Sequence, residues 1–204
     1  MKRYLSTSLV VVVVIALVVV VGAGIAVTAT DLSPTGLQVN SDKTSQQDLD
    51  SELKGFADSA YFANSYSQGG ATFKTTSGAL NSIAGAQWMA FRVETELSDQ
   101  ILERRGTPVT SKQLDAAKKS LSSQGVFDGM SDSAITQLAQ LQASLSNLIK
   151  ELGSVSAART AMTKEARTST IVLDPHYGTW NARKLGICPP TSCRRVVPVL
   201  PPEQ

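Results

Sequence analysis

His176 is the only histidine of the chain, and Asp174 stands two residues before it. Together with a serine, that pair would supply the acid and base of a hydrolase triad. No Gly-x-Ser-x-Gly elbow offers the nucleophile, however. Asp174-Pro175-His176-Tyr177-Gly178 reads instead as a turn built around a proline corner. A second set of candidates is Glu94, Glu96, Asp99 and Glu103, followed by Arg104 and Arg105. Paired carboxylates can do general acid–base chemistry. At this spacing they are expected to form a solvated helix face with local ion pairs, each contributing a few tenths of a kcal/mol. Phosphate loops, zinc helices and dinucleotide fingerprints are absent from the sequence. The expectation is a protein that is not an enzyme, with no cofactor, no metal and no small-molecule substrate.

Cys188 and Cys193 enclose Pro189-Pro190-Thr191-Ser192. Outside the cytoplasm a disulfide is the default for such a pair. Free thiols are one alternative and a metal or redox site is another. A structural zinc wants four ligands, while the chain offers two thiols and one imidazole. Redox motifs usually hold two residues between their cysteines.

The compartment follows from the N-terminus. Leu9 to Ala29 contains no charged residue and is centred on Val10–Val14 and Val18–Val21. About 20 helical residues cross a bilayer core. Lys2 and Arg3 precede the run, and the first acidic residue is Asp31. By the positive-inside rule the N-terminus lies in the cytoplasm and the body outside. The expectation is one pass through the plasma membrane by residues 5–29. The alternative is a secretory signal cleaved after Val27-Thr28-Ala29, although the apolar run exceeds the ~7–15 residues of a usual signal core. Both readings place the body outside the cytoplasm.

The chain carries 19 basic and 17 acidic residues, and without Lys2 and Arg3 the two are equal. Nothing in that balance invites nucleic acid, which needs clustered lysine and arginine. Along the body, residues 36–40 predict a short strand. Ser45 caps a helix from Gln46 to about Ala60, with Leu49, Leu53, Phe56, Ala57 and Ala60 on one face. Residues 61–77 show no clear period and predict a loop, tacked to the core by Tyr61, Phe62, Tyr66 and Phe73. A long helix over 79–105 ends at Gly106 and Pro108. Its apolar stripe is wide enough to predict contacts on two sides. Thr110, Ser131 and a start near Ser156 open three more helices. Thr170–Leu173 is β-prone, and the following segment is turn-like and then too rich in proline to be helical.

This order of elements resembles a known family. The capped helix at "TSQQDLDSELKGFA", the segment "ILERRGTPVTSKQLDAA" and the ending "VLDPHYGTW" resemble the N-terminal domain of the extracytoplasmic chaperone SurA. The related foldase PrsA shares the arrangement. His176 stands where that ending more usually has arginine. The resemblance spans roughly residues 36–175. With the residue patterns above, the expected fold is mainly α: an N-terminal transmembrane anchor or signal over 1–30, a SurA-N-like multi-helix domain with one or two short strands over 31–169, and a short strand with a Pro-rich, disulfide-bearing tail over 170–204. The resemblance also implies a domain that cradles unfolded or exported polypeptides. A parvulin isomerase domain follows in full-length members, and too few residues remain after Thr170 for one.

A surface of that kind needs aromatic and thioether groups that re-pack against many partners. Phe56, Tyr61, Trp88, Met89 and Phe91 are the candidates, with plain core as the competing reading for all five. The expected function is a membrane-tethered chaperone-like protein. The alternative is a structural or assembly protein of the cell envelope with one fixed partner. For the cysteine pair, thiol titration of denatured protein taken from its native compartment is expected to find no free thiol. Two free thiols would reject the disulfide.

Overall fold

The computed structural model describes residues 35–70 and 72–188. Among them are six helices and five short strands. The helices are α1 (Gln46–Ala57), α2 (Ala60–Gln68), α3 (Ser82–Arg104), α4 (Ser111–Ser122), α5 (Asp132–Leu152) and α6 (Val155–Thr168). The strands are β1 (Thr35–Val39), β2 (Asp42–Ser45), β3 (Ile171–Leu173), β4 (Thr179–Asn181) and β5 (Gly186–Cys188). The fold is mainly helical. No helix among the described residues is long and apolar enough to cross a membrane. The expected span, residues 5–29, lies outside them, as does the tail from Pro189 onward, Cys193 included.

Each helix begins where a short polar side chain replaces a missing backbone partner. Ser45 accepts from the Asp48 amide at 3.1 Å, and Asp48 adds a carboxylate to the positive end of α1. Thr110 and Gln113 form a reciprocal capping box at α4. Ser131 caps α5, and Gly153 ends it in the left-handed conformation at φ 79°. Within α5, Leu138, Leu141, Leu145 and Leu148 are buried, which is the spacing of one helical face.

α3 lies at the centre. Trp88, Met89, Val93, Leu97 and Leu102 are buried along it, and it packs against α5, α6 and β5. The wide stripe expected from the sequence therefore does contact more than one neighbour. An aromatic cluster fills the space between α1 and α3. Phe56 stacks on Trp88 at 4.7 Å and meets Phe62 and Phe73 edge-on at 4.8 and 5.2 Å.

A sheet of order β2-β1-β3 joins the two ends of the described chain. β1 pairs antiparallel with both neighbours, Leu37 opposite Leu173 and Val39 opposite Ile171. Leu37 and Val39 point into the core while Gln38 points away. A second, two-stranded sheet pairs β4 with β5.

Several local expectations change. Residues 61–77 are not wholly a loop: Ser59 caps α2, and Phe62 pins it. The long helix starts at Ser82, capped by Asn81, not at residue 79. β2, β4 and β5 are additions that single-strand patterning did not show. Cys188, at the end of β5, is disulfide-bonded.

At Gly55, α1 comes close to the start of α5, since a Cβ there would overlap the Ser131 side chain. Gly55→Ala is expected to destabilise the protein by about 1–3 kcal/mol through overpacking, despite alanine's better helix propensity. Gly85→Ala is the control, because a Cβ there meets only Leu80 Cδ2 at 3.9 Å. It is expected to stabilise by up to ~1 kcal/mol. Urea unfolding of both variants reads the contrast, and a stabilised Gly55→Ala would show that α1 and α5 are not in close register.

Candidate functional site

Four of the five aromatic and thioether candidates lie inside. Phe56 and Met89 are 0% exposed, Trp88 1% and Phe91 4%. Tyr61 is half-buried and packs edge-on against Phe62. The open groove expected of these residues is thus closed in this conformation. The physical reason is the aromatic cluster itself, in which Trp88 serves Phe56 and Phe91 rather than a partner.

The acidic face of α3 is also placed differently from the expectation. It is not a solvated face. Arg92, 7% exposed in its side chain, sits 3.2 Å by Nε from Glu52 Oε2 and 3.6 Å by Nη2 from Glu96 Oε1. Its Nη2 donates to Thr44 Oγ1 at 3.0 Å, and its Nη1 donates to Gln137. The Nε–H is not aimed at Glu52 and has no hydrogen-bond partner among the described residues. Glu52 Oε2 accepts from the Trp88 indole at 3.2 Å instead. Asp99 accepts from Ser144 and Gln140 on α5 at 2.5 and 3.0 Å. Burial raises the Glu52, Glu96 and Asp99 carboxyls; Arg92 opposes it at the two glutamates, and the Ser144 and Gln140 hydrogen bonds oppose it at Asp99. Burial also lifts Glu94 to about 7 against the pull of Arg159. Only the end of the helix behaves as a surface. Arg104 pairs with Glu165 on α6, and Arg105 lies 3.7 Å from Glu151 on α5. These pairs run between helices, not along one.

Asp174 and His176 form no acid–base pair. Asp174 Oδ1 accepts the His176 backbone N–H at 2.9 Å, and the imidazole lies edge-on to the Tyr177 ring. The Tyr177 hydroxyl donates to Asp50 at 2.9 Å, so this corner ties the end of the body to α1.

An open cleft of about 750 Å³ lies between the last turn of α6 and the β4–β5 hairpin. Ala166 and Arg167 form one wall, and Trp180, Asn181, Ala182 and Arg183 form the other. Local structure fixes both walls. Ala166 is buried at the inner edge of α6. Asn181 Oδ1 accepts from the Arg183 and Lys184 amides at 3.1 and 3.2 Å, which shapes the hairpin tip. Leu185, buried at φ 49°, plugs the tip into the core. Neither Arg167 nor Arg183 has an ion-pair partner among the described residues. The Trp180 indole N–H is buried and donates to nothing among them. A buried donor without an acceptor costs about 1–3 kcal/mol. No sequence signal marks this cleft, because its residues fall in a turn and at a helix end, where no period links them.

Among the described residues no cluster of histidine, cysteine, aspartate or glutamate could hold a metal. No family model matches the chain, and no curated protein or solved structure matches it.

The α3 carboxyls set a pH dependence. A carboxyl whose folded pKa is raised binds its proton more tightly in the fold. Its stabilising contribution is complete below the unfolded value, 4.5 for Glu94, and is lost as pH rises through about 7. Stability in urea is therefore expected to fall between pH 4.5 and 7, Glu94 contributing on the order of 1–3 kcal/mol. Glu94→Gln should flatten that part of the curve and be the more stable protein at pH 8. An unchanged slope in Glu94→Gln would show that Glu94 is not the titrating group.

Proposed function

We propose that the chain is a non-catalytic binding domain of the SurA-like kind, held outside the cytoplasm by residues 5–29, and that it serves one fixed partner in the cell envelope. The observation that carries this reading is the placement of apolar side chains. A general holder of unfolded chains needs an exposed apolar patch larger than a few hundred Å². Among the described residues, the exposed large apolar side chains are Val155 and Val172, on α6 and β3. They are single residues on separate elements. An open cleft between α6 and the hairpin is lined by Arg167 and Arg183, which suits one chemistry better than many. The absence of catalysis in this reading rests on the α3 acids: Glu96 lies against Arg92, and Asp99 accepts from Ser144 and Gln140.

A broader reading, in which the domain holds unfolded or exported polypeptides, is favoured by one feature. α2 buries only Phe62 of its nine residues. Displacing it would withdraw Phe62, bare Phe56 and Phe73 and create an apolar groove.

Purified protein separates the two. With one fixed partner, equimolar protein leaves the heat-induced aggregation of an unrelated client enzyme unchanged. Site-specific photo-crosslinking from position 184, exposed at the hairpin tip beside the cleft, yields one discrete adduct in intact cells. Marked suppression of aggregation, with a broad ladder of adducts, would instead establish the general holder.

A further inference from the structure

The cleft between α6 and the β4–β5 hairpin has a chemistry of its own, and its assignment rests on the reading of the chain as a binding domain. Arg167 and Arg183 come from positions 16 residues apart and line one opening. Arg167 stands in the last turn of α6, where its charge also favours the negative helix end. Arg183 has no such role, because it projects from a turn fixed by Asn181. Lys184 follows it. The acid nearest in sequence, Glu165, is engaged by Arg104. Among the described residues the opening therefore holds uncompensated positive charge, and its walls also carry an indole ring and two alanine residues.

We propose that this cleft receives an acidic side chain of the partner polypeptide, its carboxylate between the Arg167 and Arg183 guanidiniums and its flanking apolar residue against Trp180. Planar guanidinium forks match a carboxylate with two parallel hydrogen bonds, which an ammonium cannot do. An open cleft of about 750 Å³ admits an acidic side chain with its neighbours. Two unpaired cations in an open cleft also predict association that weakens with salt.

The test uses the two indole N–H resonances of the chain. The sequence holds two tryptophans: Trp88, bonded to Glu52 inside the core, and Trp180, at the cleft. Full-length ¹⁵N-labelled protein in a neutral detergent is titrated at low salt with acetyl-Leu-Glu-Leu-Glu-amide. The expected result is a saturable shift of the Trp180 indole signal with the Trp88 signal unmoved. Acetyl-Leu-Gln-Leu-Gln-amide should produce no shift, and Arg167→Gln with Arg183→Gln should weaken binding at least tenfold while leaving the Trp88 signal in place. A Trp180 signal that ignores the acidic peptide overturns the proposal. So does inorganic phosphate binding more tightly than the peptide, since the site would then serve a free anion. If the double variant still forms the discrete crosslinked adduct in cells, the carboxylate assignment fails and the fixed-partner reading survives.

Discussion

Arg92 carries a full positive charge into the interior of a small domain, and much of the rest of the body is arranged around it. A buried charge is tolerated only when its partners are placed well enough to offset desolvation. Three of those partners come from other elements, Thr44 from β2, Glu52 from α1 and Gln137 from α5, while Glu96 lies one turn along α3 itself. The guanidinium thus fixes how these elements approach α3, which apolar packing alone would leave less specific. The register has a cost. Two glutamates gather around one arginine, and burial holds both carboxyls above their usual range.

The same arrangement decides where binding can occur. Trp88 cannot both donate to Glu52 and stack on Phe56 and still present itself to a partner. Its neighbours Met89 and Val93 are as deeply buried. Once α3 is committed to the core on several sides, recognition falls to elements at the margin. The end of α6 and the β4–β5 hairpin are such elements. They come late in the chain, yet β3 pairs with β1, so this region is stitched to the start of the body by long-range hydrogen bonds such as Asn40 N–H to Thr170 O at 2.8 Å.

The long helices were legible because their signals are local. Caps at Ser45, Thr110 and Ser131 and the leucine spacing of α5 need no knowledge of the fold. α2 was not legible because its stability is tertiary: a polar run of Asn64, Ser65 and Ser67 is held by the rings of Phe62 and Tyr66 against Phe56 and Phe73. β2 is Asp-Lys-Thr-Ser, with no apolar alternation, and exists because β1 pairs with it. The acids of α3 misled for a related reason. A helix that is polar on paper is read as solvated, yet Arg92, Thr95 and Ser98 are buried, and Ser98 donates to Met162 of α6. Periodicity detects apolar faces; it cannot say which polar residues have been given partners inside. The cleft left no mark because its two walls share no sequence pattern.

In the proposed reading, location and cleft act together. Residues 30–34 are all that separates the apolar run from β1, and five residues span at most about 17 Å. The body is then confined to a thin layer beside the membrane, and any envelope partner in that layer meets it at high effective concentration. An exposed guanidinium–carboxylate contact is weak in solution, typically ~0.2–1 kcal/mol for a pair. Two such contacts with an indole wall hold a freely diffusing partner only weakly. They are enough to choose among neighbours already brought close by the membrane. A shallow, charge-selective cleft is therefore consistent with a tethered binder, whereas a chaperone that searches for clients in bulk solution needs the deep apolar groove that Phe56 and Trp88 have closed.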